Sequence, residues 1–157
     1  MRSSHKQDAL ELISIFFSTF VFSFLLNFLW EALHAVYLYQ RHDYDASNYV
    51  PMLLYVSSVD SLIIMGLYIG VSITWMNFFW IKIFTKRQLF VFAGIGILVA
   101  AVIEILSVFY YQRWVYKELM PTVFGIGISP LSQLSITGLI SVWLTRKVLY
   151  GKGLFRN

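Results

Sequence analysis

Four ionisable side chains interrupt the apolar runs of this sequence: Glu31, His34, Asp60 and Glu104. A charged group at the centre of a membrane helix costs about 2.5–3.5 kcal/mol on insertion scales. Four such groups are a heavy load for a short chain, and their placement is regular. On a rise of 1.5 Å per residue, Glu31 lies about 12 Å below the nearer end of its apolar run, Asp60 about 13 Å and Glu104 about 10 Å. Asn27, Glu31 and His34 are spaced i, i+4, i+7 and share one helical stripe. Ser57, Asp60 and Ser61 share a second, Glu104, Ser107 and Tyr111 a third, and Ser129, Gln133 and Ile136 or Thr137 a fourth. The arrangement that hides all four stripes points them into one pocket. Singly, Asn27, Ser57, Ser61, Ser107 and Gln133 read as interhelical glue, worth about 0.6 kcal/mol per bond. Carboxylates at one level are a costly choice for glue, because glutamine or serine would serve with less desolvation.

That constellation suits three chemistries. Clustered carboxyls can divide the roles of proton donor and base, so Glu31, Asp60, Glu104 and His34 are the candidate catalytic residues of an enzyme acting on a lipid or isoprenoid. Aromatic walls suit an apolar substrate and its cationic intermediates. Candidate substrate-binding residues are Asn27, Trp30, Ser57, Arg113, Trp114, Tyr116 and Gln133. Trp30 reads either as a pocket wall or as a lipid-facing anchor. Arg113 reads either as a head-group contact or as a cation that folds back onto a carboxylate. The same acidic pocket could bind a cation, conduct protons or serve transport. Glu31-Ala-Leu-His34 is also one Glu-x-x-His pair, half the set that carboxylate-bridged di-iron bundles use. No metal or cofactor is assigned on this pattern.

The elements that must position these groups are membrane helices. Of the 157 residues, 59% are hydrophobic and 13% charged, and the mean hydropathy is +0.70. Soluble domains run to roughly 25% charged. The chain therefore reads as an all-α integral membrane bundle of about four spans forming one domain, at about 10–39, 52–74, 89–111 and 129–149. The apolar run after Arg2 and Lys6 exceeds a signal peptide's h-region and reads as a retained first span. Pro51 is expected in the first turn of the second helix. Residues 75–84 are expected to continue that helix into the interface. The stretch 121–130, with Gly125, Gly127 and Pro130, reads as a short turn, a re-entrant piece or a kinked helix start. There are no cysteines, so disulfides and thiolate chemistry are excluded. The net charge of +4 on so apolar a chain points to lipid head groups rather than nucleic acid.

With four spans, Arg2, Lys6, Lys82, Lys86, Arg87, Arg146, Lys147, Lys152 and Arg156 fall on one side. Arg41, Arg113 and Lys117 fall on the other, nine against three. The positive-inside rule then puts both termini in the cytoplasm of a cell membrane. Tyr37, Tyr39, Tyr110, Tyr111, Trp114 and Tyr116 are expected as an outer aromatic belt, and Trp75, Phe78, Phe79 and Trp80 as an inner one. Gly66 and Gly70, and Gly96 and Ala100, are small pairs at helical spacing. Both are expected to pack helices inside the bundle, with a homo-oligomer contact as the alternative.

The strings Asn27-Phe28-Leu29-Trp30-Glu31 and Arg113-Trp114-Val115-Tyr116, with Met120-Pro121, Gly127, Pro130-Leu131 and Gln133-Leu134, resemble a family of small, uncharacterised prokaryotic multi-pass membrane proteins. With Asp60 between them they cover most of the chain, and the resemblance implies the fold but no activity. Asn27, Trp30 and Glu31 also match the Asn-x-x-Trp-Glu string of the integral membrane terpene cyclases of fungal meroterpenoid pathways. There the resemblance implies that Glu31 takes part in substrate protonation. Those cyclases have about seven spans and a second acid late in the chain, with which neither Asp60 nor Glu104 aligns.

Overall fold

The computed structural model describes residues 2–40 and 46–151. Arg41, Lys152 and Arg156, counted above among the basic residues on each side, lie outside them. Four helices follow in order: α1 (Arg2–Tyr37), α2 (Ala46–Thr74), α3 (Lys86–Ile105) and α4 (Ile128–Arg146). All four are long and apolar enough to cross a membrane. Leucines and phenylalanines such as Phe17, Leu62, Phe90 and Leu98 stand exposed on the outside of the bundle, where water would not tolerate them in such number.

The helices are arranged α2–α1–α4–α3, with α4 packed along both α1 and α3. Its span has the lowest hydropathy of the four, 1.2 against 2.7 for α3, yet half of it is buried. Lipid removes the hydrophobic reason to hide apolar helices, so the helix rich in serine, threonine and glycine takes the centre. Thr145 meets Thr19 of α1 at 3.2 Å between hydroxyls, and Ser135 Oγ donates to the Ala93 carbonyl of α3 at 2.7 Å. Gly96 lies against Ser135: a Cβ there would sit 2.7 Å from Ser135 Oγ. Gly138 likewise admits the Phe92 ring. Below this seam Ile15, Ile64, Tyr68, Val71, Trp80, Phe92 and Val142 form the apolar core.

Several expectations are corrected. Gly66 and Gly70 face open space, with no neighbouring atom within 4 Å of a Cβ at either, so they do not pack helices within the chain. Pro51 lies inside α2, because the helix begins at Ala46, five residues earlier than its proline suggests. Residues 75–84 do not extend α2. The chain turns at Met76, which adopts a positive φ of 50°, and a 3₁₀ turn covers Trp80–Ile83. Trp80 leaves the expected belt for the core, where it stacks on Tyr68 (5.1 Å between centroids) and its Nε1 donates to Ser72 Oγ at 3.1 Å. α3 starts with a capping box that the sequence carries as Thr85-x-x-Gln88.

Two local features shape the end of the bundle opposite the termini. The last turn of the third span, Leu106–Tyr110, is π-helical. Its extra residue shifts the helical register, and Tyr111 falls on the exposed surface rather than on the Glu104–Ser107 face. Then Thr122–Val123 and Ile126–Gly127 pair as a two-residue hairpin, β1 and β2. Both central residues, Phe124 and Gly125, have positive φ, 53° and 78°, as a type I′ turn requires. The ambiguous stretch 121–130 is thus a hairpin leading directly into α4.

Candidate functional site

Gln133 sits two turns into α4 at that end and is buried. Its Nε2 lies 2.6 Å from Glu31 Oε1, 2.9 Å from Asp60 Oδ2 and 3.2 Å from Asn27 Oδ1. One amide nitrogen thus ties together α1, α2 and α4. It carries two hydrogens for three acceptors, and the two nearest acceptors are the carboxylates. Asn27 Oδ1 has a second donor, the Thr137 hydroxyl at 3.1 Å, and Asn27 Nδ2 donates to the Ser23 carbonyl at 2.9 Å. Glu31 and Asp60 therefore lie within a few ångströms of each other, each contacted by the same nitrogen.

Glu104 is held from the other side by the connector between α3 and α4. Its Oε2 accepts from Trp114 Nε1 at 3.3 Å and, at short range, from the Tyr116 hydroxyl. Tyr39 roofs the group. It pairs with Tyr116 as an isolated bridge, with Gln40 N donating to the Val115 carbonyl at 2.8 Å and Lys117 N to the Leu38 carbonyl at 2.9 Å. Burial, and then the charges of Glu104 and Glu31, hold the Tyr39 phenol well above the ordinary tyrosine range. Burial also raises Tyr116, and its bond to Glu104 raises it further. Both phenols therefore stay protonated, and Tyr116 can donate throughout the physiological range.

Of the aromatic residues expected at the outer interface, Tyr39 is buried, and Trp114 and Tyr116 are half-buried. The Trp114 indole N–H and the Tyr116 hydroxyl hold Glu104, while Tyr37, Tyr110 and Tyr111 remain exposed. Arg113 does not fold back onto a carboxylate: it is exposed and stacks over the Tyr111 ring at 5.2 Å. Among the described residues the one ion pair is Lys82–Glu11, at the opposite end. Among the described residues, Glu31, Asp60 and Glu104 thus form no ion pair. No group of three or more His, Cys, Asp or Glu among the described residues is placed to hold a metal.

His34 points along the α1–α4 seam. Its Nε2 meets Ser129 Oγ at 2.5 Å, and its ring stands edge-on to Trp30 (5.4 Å) and Tyr39 (5.8 Å). Trp30, His34, Ser129, Thr137 and the apolar side chains of Leu29 and Ile140 line a cleft of about 400 Å³ that opens sideways between α1 and α4. Two buried polar atoms in this wall, Trp30 Nε1 and His34 Nδ1, have no partner among the described residues. Trp30 is therefore a pocket wall. Ser57 Oγ is also buried without a partner, on the stretch of α2 that carries Asp60. Sequence reasoning put Thr137 and Ser129 on the Gln133 stripe without naming them as site residues, and it left Tyr39 out of the site. The first two carried a usable signal, since they lie i+4 and i−4 from Gln133. Tyr39 carried none, because only the bridge to Tyr116 brings it over the carboxylates.

Comparison with protein-family models, with curated proteins and with solved structures finds no match.

Proposed function

We propose that this multi-pass protein is an intramembrane enzyme that performs carboxylate acid/base chemistry on a lipid or isoprenoid. One observation carries the reading: Thr137 lines the apolar side cleft and also donates to the Asn27–Gln133 network that contacts Glu31 and Asp60. A long apolar ligand lying in the cleft would present its reactive end to that network. The unpartnered Trp30 Nε1 and His34 Nδ1 would bind its polar atoms. One carboxyl would give a proton to an electron-rich double bond or oxygen of the ligand. A neighbouring carboxylate would then take a proton from an adjacent carbon, so protons in and out balance. Trp30, Tyr39 and Trp114 offer aromatic faces to the cationic species formed between. The Asn27–Trp30–Glu31 resemblance to membrane terpene cyclases agrees with this assignment.

Three carboxyl groups that form no ion pair among the described residues support a second reading, binding or conduction of protons or cations by the same pocket. The nine-to-three division of basic residues supports a cell-membrane location with both termini cytoplasmic.

The test compares lipid extracts from cells expressing the wild-type chain, Glu31→Gln and no protein. Glu31→Gln keeps the shape of the side chain and its hydrogen bonding but removes the titrating proton. The enzyme reading expects a lipid species altered by the wild type alone, with the variant as abundant and as helical as the wild type. Identical extracts, together with a proton or cation flux into vesicles that Glu31→Gln stops, would replace it with the conduction reading.

A further inference from the structure

The opposite end of the bundle carries a separate cleft of about 340 Å³, lined by Lys82, Trp143, Arg146, Lys147, Tyr150 and Gly151. Its cations reach solvent, and each is also held by a neighbouring side chain. Lys82 pairs with Glu11 at 2.7 Å and lies 4.9 Å from the Phe79 ring centroid. Arg146 stacks over Phe84 at 4.7 Å, and its Nε donates to the Lys82 carbonyl at 3.1 Å, which leaves the terminal amines as outward donors. Lys147 lies 4.7 Å over the Trp143 ring. Glu11 is the one acidic partner among the described residues, and the Tyr150 hydroxyl also donates to it, at 2.7 Å. Three cations against one carboxylate leave an excess of positive charge around one concave site.

We propose that this cleft binds the phosphodiester headgroup of an anionic membrane lipid. Depth selects a lipid over a soluble phosphate. The cleft sits where the fourth membrane span ends, at Gly151, and beside it Trp143 and Val148 are about half exposed on the lipid-facing surface. Acyl chains could run along that surface while the phosphate meets Arg146, Lys147 and Lys82. Stacked tryptophan and paired basic residues are the interfacial chemistry that head groups take up. The site shares no residue with the carboxylate pocket and does not depend on what that pocket does.

Native mass spectrometry of the purified full chain tests this, with phosphatidylglycerol or phosphatidylcholine added in neutral detergent. Phosphatidylglycerol should be retained in preference to phosphatidylcholine. Lys147→Gln should weaken that retention about fivefold, and Arg146→Gln with Lys147→Gln about twentyfold, as expected for basic groups at a charged head group. Arg87→Gln, which removes an exposed cation from the same end but outside the cleft, should change nothing. Lys147 is exposed and its ammonium lies over the Trp143 ring, so its single variant keeps the test valid if the double variant fails to fold. Equal retention of both lipids, no effect of Lys147→Gln, an equal loss with Arg87→Gln, or displacement of the lipid by inorganic phosphate would each overturn the proposal.

Discussion

At the residue scale the molecule turns on Gln133, whose one nitrogen contacts Glu31, Asp60 and Asn27. Replacing it with leucine removes the donor that Glu31 and Asp60 share, while Asn27 keeps the Thr137 hydroxyl, at a cost of about 1–3 kcal/mol. We expect Gln133→Leu to lower the unfolding temperature in detergent and to abolish whatever the pocket does. A variant as stable as wild type would mean that the carboxyls find other partners. Tyr116 is the corresponding anchor for Glu104. Tyr116→Phe keeps the ring beside Tyr39 and removes the hydroxyl, so about 1.5–3 kcal/mol of hydrogen bonding to a carboxylate should be lost. Its burial holds the phenol above its ordinary range, so this contribution should be constant from pH 6 to 9. It would fall only on the alkaline side, where the donor is lost. Thermal unfolding of the wild type and Tyr116→Phe across that range measures both statements.

At the scale of elements, the glycines separate close packing from lipid exposure. A Cβ at Gly96 would lie 3.3 Å or less from the Ser135 backbone and side chain. Gly96→Val should cost about 1–3 kcal/mol by forcing α3 away from α4. The same change at Gly66 meets nothing within the chain and should leave the unfolding temperature of the monomer within a few degrees of wild type. If the two variants behave alike, the Gly66–Gly70 face is covered by a partner or the α3–α4 seam is softer than its distances imply. The hairpin gives a third comparison. Gly125 has φ of 78°, and a Cβ would lie 3.0 Å from the Phe109 ring, so Gly125→Ala should cost about 1–2 kcal/mol through the left-handed backbone alone. That loss should be absent in Phe124→Gly, because Phe124 already holds a positive φ that glycine adopts freely.

At the scale of the whole molecule, basic residues gather at the end that carries the helix α1 start, the α2–α3 connector and the α4 end. The carboxylates gather near the other. An inserted bundle with this polarity should place its termini in the cytoplasm. Reporter fusions at Ser47 and at the C-terminal Asn157 should then report opposite sides of the membrane. Reporters on the same side would exclude the four-span topology. The central position of α4 explains how so polar a helix is tolerated: its serines and threonines bond to neighbours or to their own preceding turn, as Ser141 does to the Thr137 carbonyl at 2.6 Å.

Apolar runs of bilayer length, and the near-absence of charge within them, were enough to read four spanning helices from residue order, because lipid leaves the backbone few other folds. The common depth of Glu31, Asp60 and Glu104 was legible for the same reason: helical rise is nearly constant. What each polar side chain faces was not. Tyr39, Trp114 and Tyr116 have the composition of an interfacial belt, and only the connector's path brings them onto Glu104. The π-helical turn at Leu106–Tyr110 adds a residue that a period of 3.6 cannot register, so Tyr111 was assigned to the wrong face. Gly66-x-x-x-Gly70 and Gly96-x-x-x-Ala100 are alike as patterns. Which of them meets another helix depends on the order of helices around the bundle, and that order is set by contacts between residues far apart in the chain.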